Sequence, residues 1–70
     1  MCLAIPGKVM EIKSAEQAVV DFKGIRREVN TILVNARKGD WLLVHVGFAI
    51  QKIDEIAARQ TYRLLDRKSN

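Results

Sequence analysis

Trp41-Leu42-Leu43-Val44-His45-Val46-Gly47-Phe48-Ala49-Ile50 is the most hydrophobic stretch of the chain, and its reading decides the fold. With His45 and Gly47 inside it, the run is far shorter than the roughly twenty apolar residues that cross a bilayer. Alternation at period two makes it a strand. Leu42, Val44, Val46, Phe48 and Ile50 are expected to point into a core, leaving Trp41, Leu43, His45 and Gly47 on the opposite side. A strand apolar on both faces is central in its sheet or covered by another element. Gly47 marks a bulge or a close backbone approach, after which residues 49–53 are expected to continue as a final short strand.

Upstream, residues 35–40 carry Gly39 and three charges and read as a loop. Before it, residues 17–22 alternate Ala18, Val20 and Phe22 with Gln17, Val19 and Asp21. Lys23-Gly24 is a two-residue hairpin signal, since glycine supplies the positive φ such turns demand. The next strand covers 25–29, with an extension towards 34, and sets Ile25, Arg27 and Val29 against Arg26, Glu28 and Asn30. A first strand over 8–13 places Met10 and Ile12 opposite Val9 and Glu11, and Ser14-Ala15 turns it back.

Downstream, Asp54 is a helix N-cap and Glu55 suits the positive end of the dipole, so a helix is expected over 55–67. Ala57, Ala58, Thr61, Tyr62, Leu64 and Leu65 gather on one arc. Glu55, Arg59, Arg63 and Arg67 line another, either as a solvated row with one ion pair or as a docking surface. These elements predict a mainly β fold: a small OB-like antiparallel β-barrel of about five strands with a C-terminal α-helix. The expected division of this single domain is an arm over 1–7, a barrel over 8–53, the helix over 54–67 and a frayed tail over 68–70. An open antiparallel sheet with the helix packed on it is the alternative.

Seventy residues, 49% apolar and 29% charged, fit one globular domain and argue against disorder. A single cysteine excludes an internal disulfide, and without a charged leader and cleavage site the expected location is cytoplasmic. The net charge of +4 permits an anionic partner, but the basic residues are dispersed and only four aromatics are present. Nucleic-acid binders combine a basic groove with stacking aromatics, so neither nucleic acid nor membrane is expected as a partner.

Chemistry concentrates at the start. Cys2 directly follows Met1 and precedes Pro6-Gly7, read as a turn, so residues 2–5 are expected to form a short extended arm. A lone cysteine is commonly a compact buried residue, whereas a terminal position favours an exposed, reactive thiol. Its active form is the thiolate, which an imidazole neighbour favours, and His45 is the only imidazole in the chain. Together they would activate a nucleophile or offer two ligands to a metal; His45 alone also reads as a satisfied strand histidine. Two ligands do not close a structural zinc site or hold an iron–sulfur cluster. No GxGxxG, Walker-type loop or GxSxG occurs, and the carboxylates form no obvious acid/base pair.

Two blocks carry a resemblance. Met1-Cys2-Leu3-Ala4-Ile5-Pro6-Gly7-Lys8-Val9 and Gly39-Asp40-Trp41-Leu42-Leu43-Val44-His45-Val46-Gly47-Phe48-Ala49-Ile50 resemble the HypC/HupF/HybG family of nickel–iron (NiFe) hydrogenase maturation chaperones. The similarity runs to about residue 58 and includes Asp54-Glu55. The resemblance implies a carrier, not an enzyme, that complexes with a HypD-like iron–sulfur protein and with the precursor of the hydrogenase large subunit. It implies no tightly bound cofactor, only transient iron bearing cyanide and carbon monoxide ligands. Cys2 matches the family's essential cysteine and His45 the histidine suggested to assist it. The partner-binding set expected on this basis is Cys2, Leu3, Ile5, Pro6, Gly47 and Phe48. Two other classes stay open on the residues: an OB-type nucleic-acid-binding domain, and a thiol-dependent enzyme with His45 as its base.

Overall fold

The computed structural model of the chain describes residues 4–68, with side chains through residue 64. Strands β1 (Ile5–Ser14), β2 (Gln17–Phe22), β3 (Ile25–Asn30), β4 (Trp41–His45) and β5 (Phe48–Ile53) close into a barrel in the order β1-β2-β3-β5-β4, and helix α1 (Glu55–Lys68) follows. The OB-like barrel expected from the sequence is therefore present, and pairing of β4 with β1 rules out the open sheet. One contact is not antiparallel as expected. β3 and β5 run parallel and meet only at Asn30 and Phe48.

β1 closes the barrel by serving two neighbours. Its first half pairs with β4 from Ile5↔Val44 to Lys8↔Trp41, and its second half pairs with β2 from Lys8↔Asp21 to Ser14↔Gln17. Register shifts between Val9 and Glu11 and between Ile12 and Ser14 give the strand its bend. Val9 is buried and Ile12, on the opposite face of the strand as the alternation places it, is exposed. The strand starts at Ile5, three residues before the expected Lys8, and takes in Pro6 and Gly7. Pro6 is tolerated because β2 pairs only from Lys8 onward, so its missing N–H breaks no ladder there. Gly7 is no turn residue: a Cβ there would lie 2.3 Å from Val20 Cγ1 and 2.7 Å from Phe22 Cε1.

β2 and the Lys23-Gly24 turn form as predicted, with φ of 53° and 100° at the two turn residues. β3 stops at Asn30 and does not extend towards Val34, because Thr31 is pulled across to the β1–β2 turn. Its N–H donates to the Glu16 carbonyl and its hydroxyl to the Ala15 carbonyl. The loop over 31–40 is then tied to β1, with Val9 N–H donating to the Asp40 carbonyl and Gly39 N–H to that of Val9.

The chain departs most from the expected pattern between Trp41 and Ile50. Residues 41–50 form no single strand but a hairpin, reversing at Val46-Gly47, where both φ values are positive at 51° and 79°. Leu42 and Val44 reach the core as expected, but Val46, Phe48 and Ile50 are exposed and Ala49 takes the buried place in β5. The turn resets the alternation, and a further register shift sets Leu43 opposite Gln51 but Val44 opposite Ala49, leaving Ile50 as the extra residue of a bulge. The core consists of Val9, Ala18, Val20, Val29, Leu42, Val44 and Ala49, with Phe22, Val34 and Ala36 packed against it.

Asp54 caps α1, its carboxylate accepting the Ala57 N–H at 2.7 Å. Ala58 is fully buried, and Ala57, Thr61 and Tyr62 are half-buried beside it, as the arc predicted. Leu64 departs from it and is exposed; the Leu65 and Arg67 side chains lie outside the described residues. The Tyr62 hydroxyl donates to the Pro6 carbonyl, and its ring meets Trp41 edge-on at 6.2 Å. The helix is thereby fastened to the start of β1. Among the described residues, no helix is long and apolar enough to cross a membrane.

Candidate functional site

The antiparallel β1–β4 register decides which end of the barrel receives the chain's start. Ile5 lies opposite Val44, so Ala4 approaches from the side of His45 and the Val46-Gly47 turn. His45 is the last residue of β4, half-buried and opposite Phe48 of β5. Cys2 and Leu3 lie outside the described residues. Of the other residues expected at the site, Ile5 is 44% exposed, Phe48 is 44% exposed, and Gly47 sits in the turn with open space where a Cβ would stand. Pro6 is buried, its carbonyl engaged by Tyr62.

Beside this end opens a cleft of about 360 Å³. Ile5, Phe22, Val29, Val44, Val46 and Gly47 give it an apolar lining, with Arg27 and Glu28 contributing from β3. It exists because β3 and β5 share a single ladder position, so the wall of the barrel is thin between β3 and the β4–β5 turn. The structure thus brings Ile5 and Gly47 to one cleft, whereas His45, Pro6 and Phe48 are not part of its lining. Sequence reasoning passed over Phe22, Arg27 and Val46 as site residues. The signal available was Val46-Gly47, a residue-glycine pair like Lys23-Gly24, which reads equally well as a two-residue turn.

Electrostatic pinning is local. Burial opposes the charge of Asp40, but the Arg37 N–H and the Lys52 ammonium, 3.2 Å away, outweigh it and hold the carboxyl below its ordinary pKa. Burial pushes the Tyr62 hydroxyl above its ordinary value, with a smaller push from Asp21. Among the described residues, no three His, Cys, Asp or Glu side chains converge to hold a metal ion.

The HupF/HypC family model matches residues 1–65. The chain belongs to this family. Among HupF/HypC relatives, a protein of Helicobacter hepaticus named hydrogenase maturation factor HypC is 50% identical over 68 residues, 94% of this chain and 79% of that protein. Its namesake from Cupriavidus necator is 45% identical, covering 91% of this chain and 72% of that protein. The Escherichia coli K12 factor of the same name is 44% identical, covering 87% and 74%. The HupF/HypC match thus takes in Cys2, the cleft-lining strands and the His45 hairpin.

Proposed function

We propose that this chain is a NiFe-hydrogenase maturation chaperone. It complexes with a HypD-like iron–sulfur protein and with the hydrogenase large-subunit precursor, and it helps carry the Fe(CN)2CO unit through Cys2, without turnover of its own. The observation that carries this reading is the family match across residues 1–65, which includes Cys2 and His45, together with relatives named as hydrogenase maturation factors. The fold is compatible with it. Ala4 comes in on the His45 side of the barrel, and two further residues of chain reach no more than about 7 Å beyond it.

The chemistry follows from an incomplete ligand set. One soft thiolate, with at most one imidazole, shares a metal with a partner's ligands and releases it later, whereas four ligands in one chain would retain it. Iron is cargo here, not a resident cofactor. Affinity isolation of the chain from cells should recover an iron–sulfur protein and the large-subunit precursor. Cys2→Ala should leave the circular dichroism spectrum unchanged and abolish hydrogenase activity. Full hydrogenase activity in cells that carry only the alanine form would refute the role of the thiol.

A further inference from the structure

The open edge of β3 is a second feature of the cleft. Asn30 donates its N–H away from β2, to the Gly47 carbonyl at 2.9 Å. Backbone groups of successive strand residues face alternate edges, so Arg26 and Glu28, which share the parity of Asn30, turn their N–H and C=O groups the same way. β5 meets β3 only at Asn30, and among the described residues no strand pairs with this edge at Arg26 or Glu28. Two donors and two acceptors thus lie beside an apolar cleft, spaced as a strand requires.

We propose that this edge takes an extended segment of a protein partner by strand addition, with apolar side chains turned into the cleft and acidic ones turned outward. Strand addition draws affinity from main-chain hydrogen bonds and specificity from pockets for alternate side chains, and both parts are present. Ile5, Phe22, Val29, Val44 and Val46 supply the cleft's apolar lining. Charge selects an acidic segment. Arg26, on the outward face of β3, is exposed and makes no ion pair among the described residues, and Arg27, exposed beside the cleft, makes none either, whereas the Glu28 carboxylate is engaged by Lys13 at 2.8 Å. The chain as a whole carries +4.

Val46 is an independent pointer. It is a β-branched residue held at φ 51° and 81% exposed, so it costs stability and returns no burial. An added strand would cover it. A nucleic-acid strand fits less well, since Phe22 is the sole aromatic in the lining and offers no run of stacking surfaces.

This inference extends the maturation reading by giving a partner contact its chemistry, but its test needs neither Cys2 nor iron. The probe is a capped synthetic peptide of alternating valine and glutamate, titrated into the isotope-labelled full chain and followed by amide resonances. Saturable binding is expected, with the largest shifts at Arg26, Glu28 and Gly47. Replacing glutamate by lysine, or N-methylating alternate peptide amides, should weaken binding about tenfold or more. Arg26→Glu with Arg27→Glu should do the same, and Glu28→Pro, which removes one outward N–H without touching the β2 ladder, should be the most damaging. Cys2→Ala should bind as the parent does. The proposal is overturned by no shift along β3 at about millimolar peptide, by equal binding of the N-methylated peptide, by an oligonucleotide that shifts the same resonances more strongly, or by self-association of the free chain through this edge.

Discussion

Of the four glycines, Gly7 alone has no room for a Cβ. The nearest atoms to a Cβ there are the Val20 and Phe22 side chains, both fixed by the core, so a methyl group has to displace packing and cannot simply rotate aside. Gly7→Ala should cost about 1–3 kcal/mol, as overpacked cores do, and lower the thermal midpoint accordingly. Val46 is the converse case. Asparagine tolerates the left-handed region that a β-branched residue resists, so Val46→Asn should raise stability by about 1 kcal/mol in urea denaturation while weakening the acidic-peptide binding proposed above. The role of Gly7 was not legible beforehand, and that of Val46 only as one of two readings. Pro6-Gly7 carries the composition of a turn, and only the bend of β1 against β2 shows that the glycine is a close approach. Val46 lies in an unbroken apolar alternation, and period two does not tell a strand from a tight hairpin made of two strands.

Where a sequence signal rests on local chemistry, the element formed as read. Gln17–Phe22, the Lys23-Gly24 turn and the Asp54 cap each depend on residues within five positions of one another. Helix α1 shows the limit of that logic. Its arc predicted the buried Ala58 correctly, but the anchor that sets the helix against β1 joins residues 56 positions apart, Tyr62 donating to the Pro6 carbonyl. Tyr62→Phe should cost about 1 kcal/mol, the ordinary net worth of such a bond. It should also change the alkaline limb of the stability profile. The Tyr62 pKa is raised in the folded state by burial, so its contribution is fully present below the unfolded value of about 10 and is lost as pH rises through the folded one. The phenylalanine variant should show a shallower decline in thermal midpoint above that pH; an unchanged slope would mean that the hydroxyl is solvated in solution.

The molecule as a whole separates what holds it together from what it presents. Its core is a ring of valines, alanines and one leucine, and its charged anchors sit at seams, with Asp40 joining the loop over 31–40 to both β1 and Lys52 of β5. The folded pKa of Asp40 lies below its ordinary value, so its stabilisation is present above about pH 4 and is lost as pH falls through the folded value; Asp40→Asn should flatten that acid limb. His45, Val46 and Phe48 stand outside this framework, at the end of the barrel where the chain's start arrives. Removing a side chain there should leave the fold nearly intact. His45→Ala should shift the thermal midpoint by less than the roughly 4–8 °C that 1 kcal/mol produces in a domain of this size. On the maturation role proposed above, the same substitution should lower the iron retained in the complex with the iron–sulfur partner, measured as metal content after isolation. A large loss of stability with iron content unchanged would assign His45 to the framework and leave the cargo to Cys2 and the partner's ligands.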